Sequence, residues 1–214
     1  MKAVFFDIGE TLIDETRPWS VVANWLDVPP MTLFGVLGRL ISEGRDHREV
    51  FDIVRPDVGW TGVRDHFQDD AGIRYLPEDL YPDVRPVLEK LRLHGYFVGI
   101  AGNQPAEREK DLRDMKLPAD LIATSASWGV SKPSPEFFRR IAREARCAPE
   151  QIAYVGDRVD NDVLPAAAAG MIPIHIVRGA WGHIQRDWPG VARARAQVRS
   201  LHELPDLFQQ LRQN

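Results

Sequence analysis

The chain has 214 residues, 44% of them hydrophobic and 27% charged, a balance that fits one packed domain with a modest insertion and excludes a disordered chain. Its formal net charge of −4, with Lys and Arg mixed among acids in short runs, argues against a nucleic-acid footprint. The single cysteine, Cys147, excludes an intrachain disulfide framework and suits a reducing cytosol.

After Met1-Lys2, the four apolar residues Ala3–Phe6 are too few for the hydrophobic region of a signal peptide, and they read as a buried strand ending on Asp7. From about Arg17 to Pro82 no buried strand is evident. Helical stretches such as Val21–Leu26 and Thr32–Ile41 are punctuated by Pro29-Pro30, Gly44, Pro56-Asp57 and Gly62. This region interrupts the sheet after its first strand, which predicts a helical cap over the carboxyl ends of the strands. Regular alternation then begins. Residues 83–94 carry Val84, Val87, Leu88 and Leu91 on one helical stripe, with Gly95 as a stop. Phe97–Ala101 reads as a strand, 105–115 as a helix, and Leu121–Ala123 as a strand. Residues 135–146 open with Ser134 as N-cap and Pro135 in the first turn, and bury Phe138, Ile141 and Ala145. A strand at Ile152–Val155, a helix at 160–169, a strand at Ile172–Val177 and a tail helix bearing Leu204, Leu207, Phe208 and Leu211 complete the chain. Crossovers of this length imply an α/β fold, a parallel sheet covered by helices on both faces. The predicted division is a core of residues 1–16 and 82–214 with a helical cap of residues 17–81. The longest small-apolar stretch, Val163 to Val177, is broken by Pro165, Gly170, Pro173 and His175 and is too short to span a bilayer. The expectation is a soluble, cytoplasmic protein without a membrane or nucleic-acid partner.

In such a sheet, ligands bind beyond the carboxyl ends of the strands. The first strand ends in Asp7-Ile8-Gly9-Glu10-Thr11, the second in Gly102-Asn103-Gln104, and the fourth in Gly156-Asp157, with Asp160 and Asp162 following. Lys132 stands in Gly129-Val130-Ser131-Lys132-Pro133, just before a helix start. Asp7 and Asp157 should therefore converge at one edge, with Lys132 in reach. Two close carboxylates repel, and a hard divalent cation such as Mg²⁺ relieves that repulsion. A lysine and free amides after a strand complete a pocket for a phosphoryl group, and a carboxylate in line with it can form an acyl-phosphate. The histidines show no metal-ligand spacing, and none is expected beside a strand end.

These residues carry a family resemblance. Phe5-Phe6-Asp7-Ile8-Gly9-Glu10-Thr11-Leu12 resembles the first motif of the haloacid dehalogenase-like hydrolases, Asp-x-Asp-x-Thr after a hydrophobic strand. Gly129–Pro133, running on to Phe137-Phe138, resembles their lysine motif, and Val155-Gly156-Asp157 through Asp162 resembles their Gly-Asp-x-x-x-x-Asp motif. The resemblance implies a Rossmann-like core with an inserted helical cap. It implies Asp7 as nucleophile and Mg²⁺ ligand, Gly9 as a ligand through its carbonyl, and Asp157 as the second carboxylate ligand. Asp162 would act on the metal at longer range or through water, and Lys132 would balance the nucleophile and phosphate. Gly102 and Asn103 would meet the phosphate of a small phosphorylated substrate.

Two positions depart from the pattern. Family phosphatases carry a second aspartate, the general acid and base, where Gly9 stands, and a Ser or Thr hydroxyl where Gly102 stands. Absence of a positioned acid typically costs about 10²–10⁴-fold in rate. Glu10 is adjacent but should project differently. The leading expectation is a Mg²⁺-dependent phosphatase-like hydrolase working through Asp7. The alternatives are a phosphate-binding or regulatory protein of impaired turnover, motivated by Gly9 and Gly102, and a metal-free haloacid dehalogenase, disfavoured by the Gly156-Asp157 pair. Cap residues such as Arg17, Trp19, Trp25, Trp60, Arg64 and His66 are candidates for the pocket, with packing inside the cap as the competing role.

Overall fold

The structure is a computed structural model that describes residues 1–67 and 73–213. Its elements, in order, are β1 (Ala3–Phe6), α1 (Thr16–Trp25), α2 (Pro30–Ser42), α3 (Glu49–Val54), α4 (Gly59–His66), α5 (Val84–Leu93), β2 (Phe97–Gly102), α6 (Ala106–Asp114), β3 (Leu121–Thr124) and α7 (Ser125–Trp128). They continue with α8 (Pro135–Ala145), β4 (Ile152–Gly156), α9 (Leu164–Ala168), β5 (Ile172–Ile176), α10 (Gly179–Gln185), β6 (Ala196–Val198) and α11 (Leu204–Gln213). The six strands form one sheet in the order β3-β2-β1-β4-β5-β6, with every pairing parallel. The α/β fold is the one the alternation implies.

The central strand is the most deeply buried because its sequence leaves no polar face: Ala3, Val4, Phe5 and Phe6 are all inaccessible to solvent. α8 shows how an adjoining helix is specified. The Ser134 side chain accepts a hydrogen bond from the Glu136 N–H, Pro135 fits the first turn, and Phe137, Phe138, Ile141 and Ala145 turn inward. Each fully buried Phe or Ile of this kind contributes roughly 1.5–3 kcal/mol. Register then sets the site. Phe6 pairs with Ile100 on one side and Val155 on the other, so Asp7, Gly102-Asn103 and Gly156-Asp157 leave the sheet at the same edge.

The contacts divide the chain into two compact units, Met1–Asp14 with Leu76–Asn214, and Glu15–Tyr75. The second unit is helical where described, and residues 68–72 of the inserted region lie outside the described residues. Its aromatic residues stack on one another. Trp19 lies on Phe51 at 5.8 Å, Phe51 on Trp60 at 5.7 Å, and Trp25 on His66 at 4.1 Å. The Arg17 guanidinium donates to the Arg74 carbonyl, and Arg64 pairs with Asp65. Among the described residues no single helix is long and apolar enough to cross a membrane; α1 and α2 would suffice only together, and they are bent by 114°.

Candidate active site

The loop after β1 is a tight turn built on main-chain hydrogen bonds. The Asp7 N–H continues the sheet by donating to the Val155 carbonyl at 2.9 Å, the Leu12 and Ile13 N–H groups both donate to the Ile8 carbonyl, and the Glu10 N–H donates to the Ile13 carbonyl. The left-handed conformation this turn needs falls on Glu10, with φ at 53°, while Gly9 is not among the left-handed glycines. The Glu10 carboxylate accepts a hydrogen bond from the Tyr81 hydroxyl at 2.8 Å. Burial, Glu10 and Asp14 together push that phenol well above its ordinary range, so it stays protonated.

Lys132 is the centre of the cluster. It is buried, and its Nζ lies 2.7 Å from Asp7 Oδ1 and 2.5 Å from Asp162 Oδ1. The Tyr154 ring sits 5.5 Å away and offers the ammonium a π face. Burial by itself would lower the lysine, yet Asp162 and Asp7 hold it well above its usual value, so it remains charged. Asp162 is pulled both ways: burial and Asp7 raise it, Lys132 and the Arg158 N–H lower it, and the balance puts it at about 6. Its other oxygen accepts the Arg158 N–H at 2.9 Å. Gly156 is what admits this carboxylate, since a Cβ there would stand 2.3 Å from Asp162 Cγ.

Asp157 is the outlying member. It is 2% exposed, and its carboxylate receives a long hydrogen bond from Thr11 Oγ1 at 3.4 Å. Burial, then Asp162, Asp7 and Glu10, push it well above the normal carboxylate range. One oxygen from each of Asp7, Asp157 and Asp162 lies within 4.8 Å of the others. Three buried carboxylates against one lysine leave excess negative charge that a divalent cation would neutralise, so the donor set fits one.

The sequence places Gly102 and Asn103 among phosphate contacts. In the structure the Asn103 side-chain amide is taken by the main chain of Lys132: Nδ2 donates to the Lys132 carbonyl at 2.9 Å and Oδ1 accepts the Lys132 N–H at 2.8 Å. Asn103 thus holds the lysine's backbone in place. Gly102 touches the nucleophile candidate, since a Cβ there would lie 2.4 Å from Asp7 Oδ1 and 3.1 Å from Ile8 Cγ1. The carboxylate leans into the space a side chain at 102 would fill. Gly102→Ser is therefore expected to cost about 1–3 kcal/mol, as an overpacking substitution does, and to displace Asp7 from Lys132. Urea denaturation of the variant checks this; unchanged stability would show that Asp7 swings aside freely.

Sequence reasoning missed the residues behind the cluster. His175 is not remote from a strand end: it is the penultimate residue of β5, fully buried, in register with Gly156, and its Nε2 lies 2.9 Å from the Asp157 carbonyl. Burial lowers its imidazole below the ordinary value, and the ring is neutral. A main-chain acceptor has no sequence signature, so only the pairing of β4 with β5 reveals this contact.

The model of the haloacid dehalogenase-like hydrolases matches residues 1–170. A glyceraldehyde 3-phosphate phosphatase from Methanocaldococcus jannaschii is 31% identical over 235 aligned positions covering 100% of both chains. One from Methanopyrus kandleri is 30% identical over 202 positions, covering 85% of this chain and 86% of that protein. Among solved structures, a HAD phosphatase from Thermococcus onnurineus superposes with a TM-score of 0.62 at 23% identity, over 97% of this chain and 98% of the other, a likeness of fold. The chain belongs to the haloacid dehalogenase-like hydrolases and is a hydrolase of their phosphatase type.

Proposed function

We propose that the chain hydrolyses a small phosphomonoester through an aspartyl-phosphate on Asp7, with Mg²⁺ held by Asp7, Asp157 and the Gly9 carbonyl. The observation that carries this reading is the convergence at the strand ends of three buried carboxylates, two of them paired with Lys132, whose combined charge when ionised that one lysine does not balance. When bound, the metal would neutralise that charge and draw phosphate oxygens toward the nucleophile. Asp7 attacks phosphorus through a carboxylate oxygen, the ester P–O bond breaks, and the leaving oxygen takes a proton from solvent water, since Gly9 offers none. Water then attacks phosphorus, releasing inorganic phosphate and restoring the carboxylate. Lys132 balances charge on Asp7 and the phosphoryl oxygens, and Asp162 aims Lys132 rather than serving as a direct ligand, because both of its oxygens are engaged. The relatives make glyceraldehyde 3-phosphate the first substrate to try.

The test is release of inorganic phosphate from glyceraldehyde 3-phosphate and from p-nitrophenyl phosphate in the presence of Mg²⁺. Asp7→Asn is expected to lower turnover by on the order of 10⁴-fold or more, as loss of a covalent nucleophile does. Turnover indifferent to that substitution would overturn the reading.

A further inference from the structure

The loop that carries Asp157 is anchored at all four polar groups of the two peptide units that follow it. The Asp157–Arg158 peptide has its carbonyl on His175 Nε2 at 2.9 Å and its N–H on Asp162 Oδ2 at 2.9 Å. In the next peptide, the Arg158 carbonyl accepts the Asp162 and Val163 N–H groups at 3.0 and 3.1 Å, and the Val159 N–H donates to Gln185 Oε1 at 2.6 Å. Before Asp157, Gly156 is still in the sheet, paired with His175. The backbone is thus held on both sides of a residue whose own carboxylate has a single long hydrogen bond, from Thr11.

We propose that His175 and Gln185 are positioning residues that fix this backbone and so aim the Asp157 carboxylate at the cation. The inference rests on the metal reading given above. The support is that both side chains are buried, come from elements outside the acidic loop, and have each polar atom committed. A carbonyl accepts, so His175 Nε2 carries the hydrogen, and Nδ1 must accept. Gln197 Nε2 supplies that donor at 3.1 Å, and its other hydrogen goes to the Arg186 carbonyl at 2.8 Å, which fixes the amide's orientation. Gln185 is 2% exposed, and its Nε2 donates to Asp160 Oδ1 at 3.3 Å while its Oε1 takes the Val159 N–H. Neither residue lies in the family-like acidic motif. Partners of this kind hold ligands in orientation, and their removal typically weakens metal binding by about 10–100-fold.

The deciding experiment is calorimetric titration of the full chain with Mg²⁺ alone, alongside thermal melts. His175→Leu and Gln185→Met, close in volume but lacking the donor or acceptor, are each expected to weaken Mg²⁺ binding by about 10–100-fold. His175→Gln, whose amide can still donate to the Asp157 carbonyl, should restore most of the affinity. A merely space-filling role would rank leucine and glutamine together. If His175→Leu does not fold, Gln185→Met carries the comparison, and ¹⁵N NMR of the parent reads the tautomer directly: a proton on Nδ1 instead of Nε2 overturns the proposal. Folded variants that bind Mg²⁺ like the parent, while Asp157→Asn does not, overturn the positioning role and leave the metal reading intact. A parent that binds no Mg²⁺, or binds it equally with Asp157→Asn, overturns both.

Discussion

Gly9→Asp is expected to raise turnover of an alkyl phosphate by about 10²–10⁴-fold, the usual contribution of a positioned acid and base. The backbone accepts the change. Gly9 is not in the left-handed region, and the strained position of the turn is Glu10, so an L side chain at 9 meets no conformational penalty of the kind a left-handed glycine would impose. The neighbouring groups do not supply the missing proton. Glu10 is bound to the Tyr81 hydroxyl, and that phenol is held far above neutral by burial and Glu10. The signature is a dependence on the leaving group. Departure of p-nitrophenolate requires no protonation, whereas departure of an alkoxide does, so the gain should be large for glyceraldehyde 3-phosphate and small for p-nitrophenyl phosphate. Equal gains on both substrates, or none on either, would mean that Gly9 is not where proton transfer is lost. The comparison is a pair of steady-state measurements on one variant.

Two kinds of site residue were legible in the sequence: Asp7 and Asp157, which stand where a buried strand stops, and Lys132 and Asp162, which stand in motifs that resemble the family's. Asp7 and Asp157 are readable because β1 and β4 are apolar runs with sharp ends, and a parallel sheet brings such ends to one edge. β6 was not legible. Ala196–Val198 is three residues long with a central glutamine, and it becomes a strand because its register with Ile174, His175 and Ile176 completes the edge of the sheet. The stretch predicted as a helix from 160 onward becomes α-helical at Leu164, after a wider π turn over Val159–Val163. The reason is Asp162, whose carboxylate turns inward to Lys132 and to the Arg158 N–H, and local helical propensity gives way to that buried pair. Asn103 shows a different limit. Its place after β2 was readable, but its side chain serves the Lys132 backbone, a contact between two main-chain groups and an amide that no motif encodes. His175 and Gln185 belong with it, since each recognises a peptide group instead of a side chain.

Lys132→Met should destabilise the metal-free protein by about 3–5 kcal/mol at pH 7.5, the cost of removing one partner from a buried ionic cluster. Methionine fills nearly the same volume against Tyr154, so the loss is electrostatic and not a cavity. The pH dependence gives the proof. Asp162 already stands at about 6 with the lysine present, and the lysine is one of the groups lowering it, so the substitution drives it higher still. An acid whose folded value lies above its unfolded value of about 3.9 costs nothing when both states are protonated, and its penalty is complete above the folded value. The variant's deficit should therefore shrink as pH falls from 7.5 through 6 toward 5, while a packing defect would persist unchanged. Mg²⁺ should also return part of the loss at pH 7.5, because it restores positive charge to the same three carboxylates. Urea denaturation at the two pH values, with and without Mg²⁺, measures all of these. A deficit independent of both pH and metal would show that Lys132 is held in place by packing against Tyr154 and that the carboxylates around it carry no net charge at neutral pH.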